Sequence, residues 1–169
     1  MYKKIALLPL LGTLFAFTAQ AGEVAPTPNG LKLPEGYKDW RVISVSHRID
    51  NHTLRMILGN DIAIEAARKG QTNPWPDGTI LGKMVWKEKP EDHWKTAIAP
   101  DPDGFVHAEF MFKDSKRFAD NGTGWGWARW LGREQKPYGK NAGFQQECIA
   151  CHTPVKGQDW VFTRPALLP

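Results

Sequence analysis

The tightest constraint in this chain is the stretch QECIACHTPVKGQDWVF, Gln146 to Phe162. It holds the only two cysteines, Cys148 and Cys151, with His152 directly after the second. Two thiols at i and i+3 share one side of a helical turn. Cys-x-x-Cys-His at this spacing is the attachment pattern of a c-type haem. The thiols add to two vinyl groups of one porphyrin, and the imidazole ligates the iron.

Two other uses of such a pair fit less well. A thioredoxin-like Cys-x-x-Cys sits early, within a βαβ pattern; here the pair lies near the C-terminus and no such pattern precedes it. A zinc site needs further ligands close by, and the nearest other histidine is His107. The residues therefore favour one haem c per chain, held by Cys148 and Cys151, with His152 as the iron ligand.

The N-terminus sets the compartment. Lys3 and Lys4 precede an apolar run from Ile5 to Phe17, and Ala19-Gln20-Ala21 is a small-x-small cleavage site. Residues 1–21 read as a secretory signal peptide, which places the mature chain in the periplasm. Residues 22–169 then form one haem domain with a single core. The formal charge of +4 includes Lys3 and Lys4, so cleavage leaves +2, because residues 1–21 carry no acid. A nearly neutral chain points to no nucleic acid and no anionic membrane. No later segment is long and apolar enough to span a bilayer. Two cysteines are too few for a disulfide scaffold. Eight tryptophans suit either a large flat ligand or an aromatic core.

Periodicity gives the frame. Gly22 to Pro34 reads as an extended arm. Trp40–His47, Thr53–Leu58, Thr79–Trp86, Phe105–Lys113 and Trp125–Leu131 read as strands. Asn60 caps a helix over the following residues, with Gly70 as its C′ residue. Lys87–Gly104, polar and rich in Pro, reads as a long excursion or lid. Asp114–Asp120 reads as a helical turn, Pro137–Gly143 as loop, and Phe144–Ala150 as a short helix, where the cysteines lie. The fold class is α+β: a mostly antiparallel sheet with one or two helices and a C-terminal haem-attachment segment.

The sixth iron position separates electron transfer from chemistry, since Met/His ligation suits an electron carrier. No Met or His follows His152. Met56, Met84 and Met111 lie on strands and read as core. His47, His52, His93 and His107 stay open as ligands. The preferred reading leaves the position open to small molecules. The alternative is a periplasmic electron-transfer cytochrome with that position filled.

LPEGYKDW (Leu33–Trp40), WPDGTILGK (Trp75–Lys83), KDSKRFAD (Lys113–Asp120) and CIACH followed by DWVFT (Asp159–Thr163) occur in that order. With these segments the chain resembles the cytochrome P-460 family, which includes cytochrome c′-beta. The resemblance implies a β-rich fold and a five-coordinate c-type haem in the periplasm. In the enzymatic members, which oxidise hydroxylamine, a lysine of the D-G-T-x-x-x-K segment is cross-linked to the porphyrin rim; the matching residue is Lys83. Cytochrome c′-beta lacks the cross-link and binds nitric oxide in an apolar distal pocket. An acidic residue is expected after the lysine in the enzymatic members, and Met84 stands here.

On a strand, Leu81, Lys83 and Val85 share one face, and Ile80, Gly82, Met84 and Trp86 the other. Lys83 is thus a candidate for the haem-facing side, against the plainer reading of an edge lysine reaching water. Gly82 marks the close approach of another group. Arg55 is a candidate partner for a haem propionate or a distal ligand, against an outward-pointing arginine. Glu109 is a candidate distal base with His107 beside it, against a solvated strand face. Trp125, Trp127 and Arg129 share a face opposite Trp130. The partners implied are hydroxylamine or nitric oxide, with a redox partner cytochrome and a homodimer as further expectations.

Overall fold

A computed structural model describes residues 23–94 and 96–166; the leader read over residues 1–21 lies outside them. Six strands form one antiparallel sheet in chain order: β1 (Arg41–Arg48), β2 (Thr53–Gly59), β3 (Ile80–Pro90), β4 (Ile98–Lys113), β5 (Trp125–Leu131) and β6 (Lys136–Pro137). Two helices accompany it, α1 (Asp61–Arg68) between β2 and β3, and α2 (Gln145–His152) after β6. The α+β, mostly β class expected from the periodicity is the one observed.

Strict meander order makes the cross-strand register easy to follow. Ser44, Ile57, Lys83, Glu109 and Arg129 stand opposite one another across β1 to β5. Side chains alternate along each strand, so this row, together with Leu81, Met111 and Trp127, defines one face. Met56, Met84, Ala108 and Trp130 form a row of the other face.

That second face is a closed core. Phe110 and Trp130 meet at 5.8 Å between ring centroids, and Tyr37 meets Phe110 at 5.3 Å, both edge to face. The N-terminal arm covers them. Leu31 is buried there, and the Trp130 Nε1–H donates to the Ala25 carbonyl at 3.0 Å. Gly82 lies beneath this cluster: a Cβ would come within 2.7 Å of Phe110. The close approach at Gly82 is therefore made by Phe110, away from the face that carries Lys83.

The first face is covered in two parts. Over one end, α1 buries Ala63, Ile64, Ala66 and Ala67 against Ile43, Trp75 and Trp125. The Asn60 side chain caps α1, accepting from Ala63 N–H at 3.0 Å. Over the rest lie α2 and the chain after it.

Three expectations change. Lys87–Gly104 is no lid: most of it lengthens the β3–β4 ribbon, with Glu88, Lys89 and Pro90 paired to Pro100, Ala99 and Ile98. Proline is tolerated where no ladder N–H is required, as at the far end of a two-stranded ribbon, and the register shifts on both sides of Trp86 absorb the irregularity. The segment read as loop from Pro137 begins with β6, which pairs to β5. The helix expected over Phe144–Ala150 runs on to His152 and so carries both cysteines and the histidine.

Candidate haem site

Asn141 accepts from Gly143 N–H at 2.9 Å in the turn that leads into α2. The helix then presents Cys148, Cys151 and His152 on one side, at i, i+3 and i+4. All three line a cavity of about 370 Å³ between α2, the C-terminal segment and the first sheet face. The sheet contributes Arg55, Lys83, Glu109, Met111, Trp127 and Arg129, and the segment after α2 contributes Phe162 and Arg164.

The His152 ring is fixed in one orientation. Its Nδ1 lies 2.7 Å from the Trp160 carbonyl oxygen. A carbonyl only accepts, so Nδ1 carries the proton and Nε2 keeps its lone pair. Burial lowers the His152 pKa, and the Trp160 bond opposes this only in part. A neutral imidazole results. The ring sits edge to face with Trp127 at 4.7 Å and Phe162 at 5.0 Å.

The thiols are free of one another. Burial pushes Cys148 up to about 11, whereas a reactive dithiol has a lowered pKa. Among the described residues no group of three or more His, Cys, Asp or Glu is placed to hold a metal ion. Both findings weigh against the redox and zinc uses of the pair.

The sheet side is charged. Glu109 forms ion pairs with Lys83 and, at 2.6 Å, with Arg129; His107 Nε2 lies 3.6 Å away. Burial would raise the Glu109 carboxyl, but Lys83 and Arg129 outweigh it and hold it at about 2. Arg55 is held below its usual value by burial first and by Arg48 second. Its Nε and the Trp127 Nε1 are buried without a protein partner. Two orphaned donors in the wall of one cavity are what a bound group with acceptor atoms satisfies. With two thiols and an imidazole on the facing helix, the residues fit a covalently held haem.

The sequence profile of Cytochrome P460 matches residues 34–163. The chain belongs to the cytochrome P460 family. Membership makes it a c-type cytochrome that acts on small nitrogen species and implies a haem c cofactor. Among curated proteins, no sequence matches the chain.

In this cytochrome P460, several sequence expectations stand differently from how the strands alone placed them. Glu109 does not lie on a solvated face: it is the hub of the ion-pair row. Arg55 does not point outward; it lines the cavity. Met111 also lines the cavity, whereas Met56 and Met84 pack into the opposite core. His47, His52, His93 and His107 are not lining residues; His47 and His52 both engage Glu88 at the ribbon. Met84 faces the opposite core, so an acid directly after Lys83 would not reach the cavity on this strand. The carboxylate beside Lys83 comes from Glu109, its cross-strand neighbour. Ser44, Ser46, Arg129 and Arg164 were not singled out as site residues. The register outward from Lys83 would have found Ser44 and Arg129, and the register from Arg55 would have found Ser46, because directly opposed residues share a face.

Proposed function

We propose that this chain is an exported mono-haem cytochrome whose open iron position serves the oxidation of hydroxylamine. The observation that carries this reading is the ionised Glu109 carboxylate in the cavity wall, paired to Lys83 and Arg129. Hydroxylamine carries N–H and O–H donors, and an ionised acceptor in the cavity wall binds and orients them. Capture of nitric oxide moves no proton and is served by an apolar wall.

A haem c bound here supplies an iron for small nitrogen ligands and a route for electrons to a partner cytochrome. Cys148 and Cys151 hold it, and His152 offers Nε2 to the iron. Glu109, kept ionised by Lys83 and Arg129, accepts a hydrogen bond from an N–H or O–H of the substrate and orients it at the cavity wall. Arg55 and Trp127 supply N–H donors to acceptor atoms of the bound group. Lys83 is the candidate for a bond to the porphyrin rim. Export to the periplasm rests on residues 1–21.

Met111 supports a second reading, an electron carrier whose sixth position is filled by its thioether. Optical spectra of the ferric and ferrous protein separate the two. The open-site reading expects high-spin haem, rapid carbon monoxide or nitric oxide binding, and reduction of the haem by hydroxylamine. A low-spin spectrum that becomes high-spin in Met111→Leu supports the carrier and sinks the open site.

A further inference from the structure

A buried ion pair between β4 and the segment just after Cys-x-x-Cys-His is connected to His152 by a short run of fixed contacts. Lys113, the last residue of β4, donates from Nζ to Asp159 Oδ1 at 2.7 Å, and both side chains are less than a tenth exposed. Asp159 Oδ2 accepts the Trp75 backbone N–H at 2.8 Å, and its carbonyl accepts Trp125 Nε1–H at 2.9 Å. The Lys113 ammonium also stands 5.0 Å over the Trp125 ring. Every acceptor of Asp159 is thus engaged.

The backbone at that point is strained. Asp159 and Trp160 are consecutive non-glycine residues in the left-handed region, at φ 50° and 65°. A bulky residue keeps such a conformation only when its surroundings over-determine it. Here the surroundings are the Asp159 contacts, and the outcome is the direction of the next carbonyl. Trp160 O points at His152 Nδ1.

We infer that Lys113 and Asp159 are positioning residues that hold the Trp160 carbonyl on His152 and so set the donor strength of its Nε2. A hydrogen bond from Nδ1–H to a carbonyl makes the imidazole a stronger donor. A stronger donor favours the oxidised metal, and release of the carbonyl weakens the iron–histidine bond and raises the reduction potential. The pair itself touches no cavity residue's reacting atoms and acts only through the loop. The inference rests on the haem reading above.

The test uses the full chain matured with haem. Resonance Raman gives the iron–histidine stretching frequency of the ferrous form, and redox titration gives the potential. Lys113→Met and Asp159→Asn should each lower the frequency and move the potential to more positive values. Lys113→Arg should return both toward the parent, and Lys32→Met, in the exposed pair with Glu23, should leave them unchanged. Lys113→Met leaves Asp159 buried without its counter-charge, so if it does not accumulate, Asp159→Asn decides. Variants that carry haem but keep the parent frequency and potential overturn the inference. Failure of both variants to fold assigns the pair to folding alone and overturns it too. A parent chain without attached haem overturns the haem reading instead.

Discussion

Glu109 shows how much a single register position decides. Two cations at hydrogen-bonding distance keep its carboxylate charged in a largely buried site. Glu109→Gln keeps the shape and removes the charge. Hydroxylamine oxidation should fall by roughly 10- to 10²-fold, the usual worth of a hydrogen bond to a charged group, while carbon monoxide binding to the ferrous protein persists. Equal loss of both would mean that Glu109 only maintains the cavity. The same cluster predicts acid sensitivity. Burial, above all, lowers His107 to about 4, and Glu109 is held at about 2. Both folded values lie below the unfolded ones, so the unfolded chain takes up these protons first as the pH falls. The His107 contribution is complete above about 6.5 and disappears toward 4, and that of Glu109 goes between about 4.5 and 2. Each withdraws on the order of 3 kcal/mol at about 1.4 kcal/mol per unit. Urea unfolding at pH 7, 5.5 and 4 should show this loss in the parent and a flatter profile in His107→Phe. Identical profiles would contradict it.

At the scale of elements, the Asn60 cap ties three pieces together. Its side chain accepts from Ala63 N–H and Ile80 N–H and donates to the Gly78 carbonyl at 2.8 Å. Asn60→Ala should cost roughly 1–2 kcal/mol in denaturant unfolding, above a typical cap because two further bonds go with it. A loss of a few tenths would show that the β2–α1–β3 corner is held by packing alone. This corner was legible in the sequence: Asn60, an amphipathic run and Gly70 state a helix locally. Most strands were legible as well, because their alternation states which side is buried. The Lys87–Gly104 ribbon was not, since polar residues and prolines carry no alternation and only pairing with the partner strand reveals them. The placement of Arg55 and Glu109 was equally hidden. A lone charge among apolar neighbours looks the same whether it meets water or a cavity lined by opposite charges, and the covering element, α2, comes from far along the chain.

At the scale of the whole molecule, a meander sheet buries one face under the N-terminal arm and leaves the other for a helix that carries two thiols and an imidazole. No helix among the described residues is long and apolar enough to cross a membrane. A cavity of about 370 Å³ with orphaned donors in its wall is the central feature, and the account turns on what fills it. Intact mass spectrometry under denaturing conditions, on protein made in a host that matures c-type cytochromes, tests this most directly. The account predicts the mass of residues 22–169 plus one haem that survives acidified organic solvent, with neither thiol open to alkylation. A chain that carries no haem mass and alkylates at both Cys148 and Cys151 would contradict it.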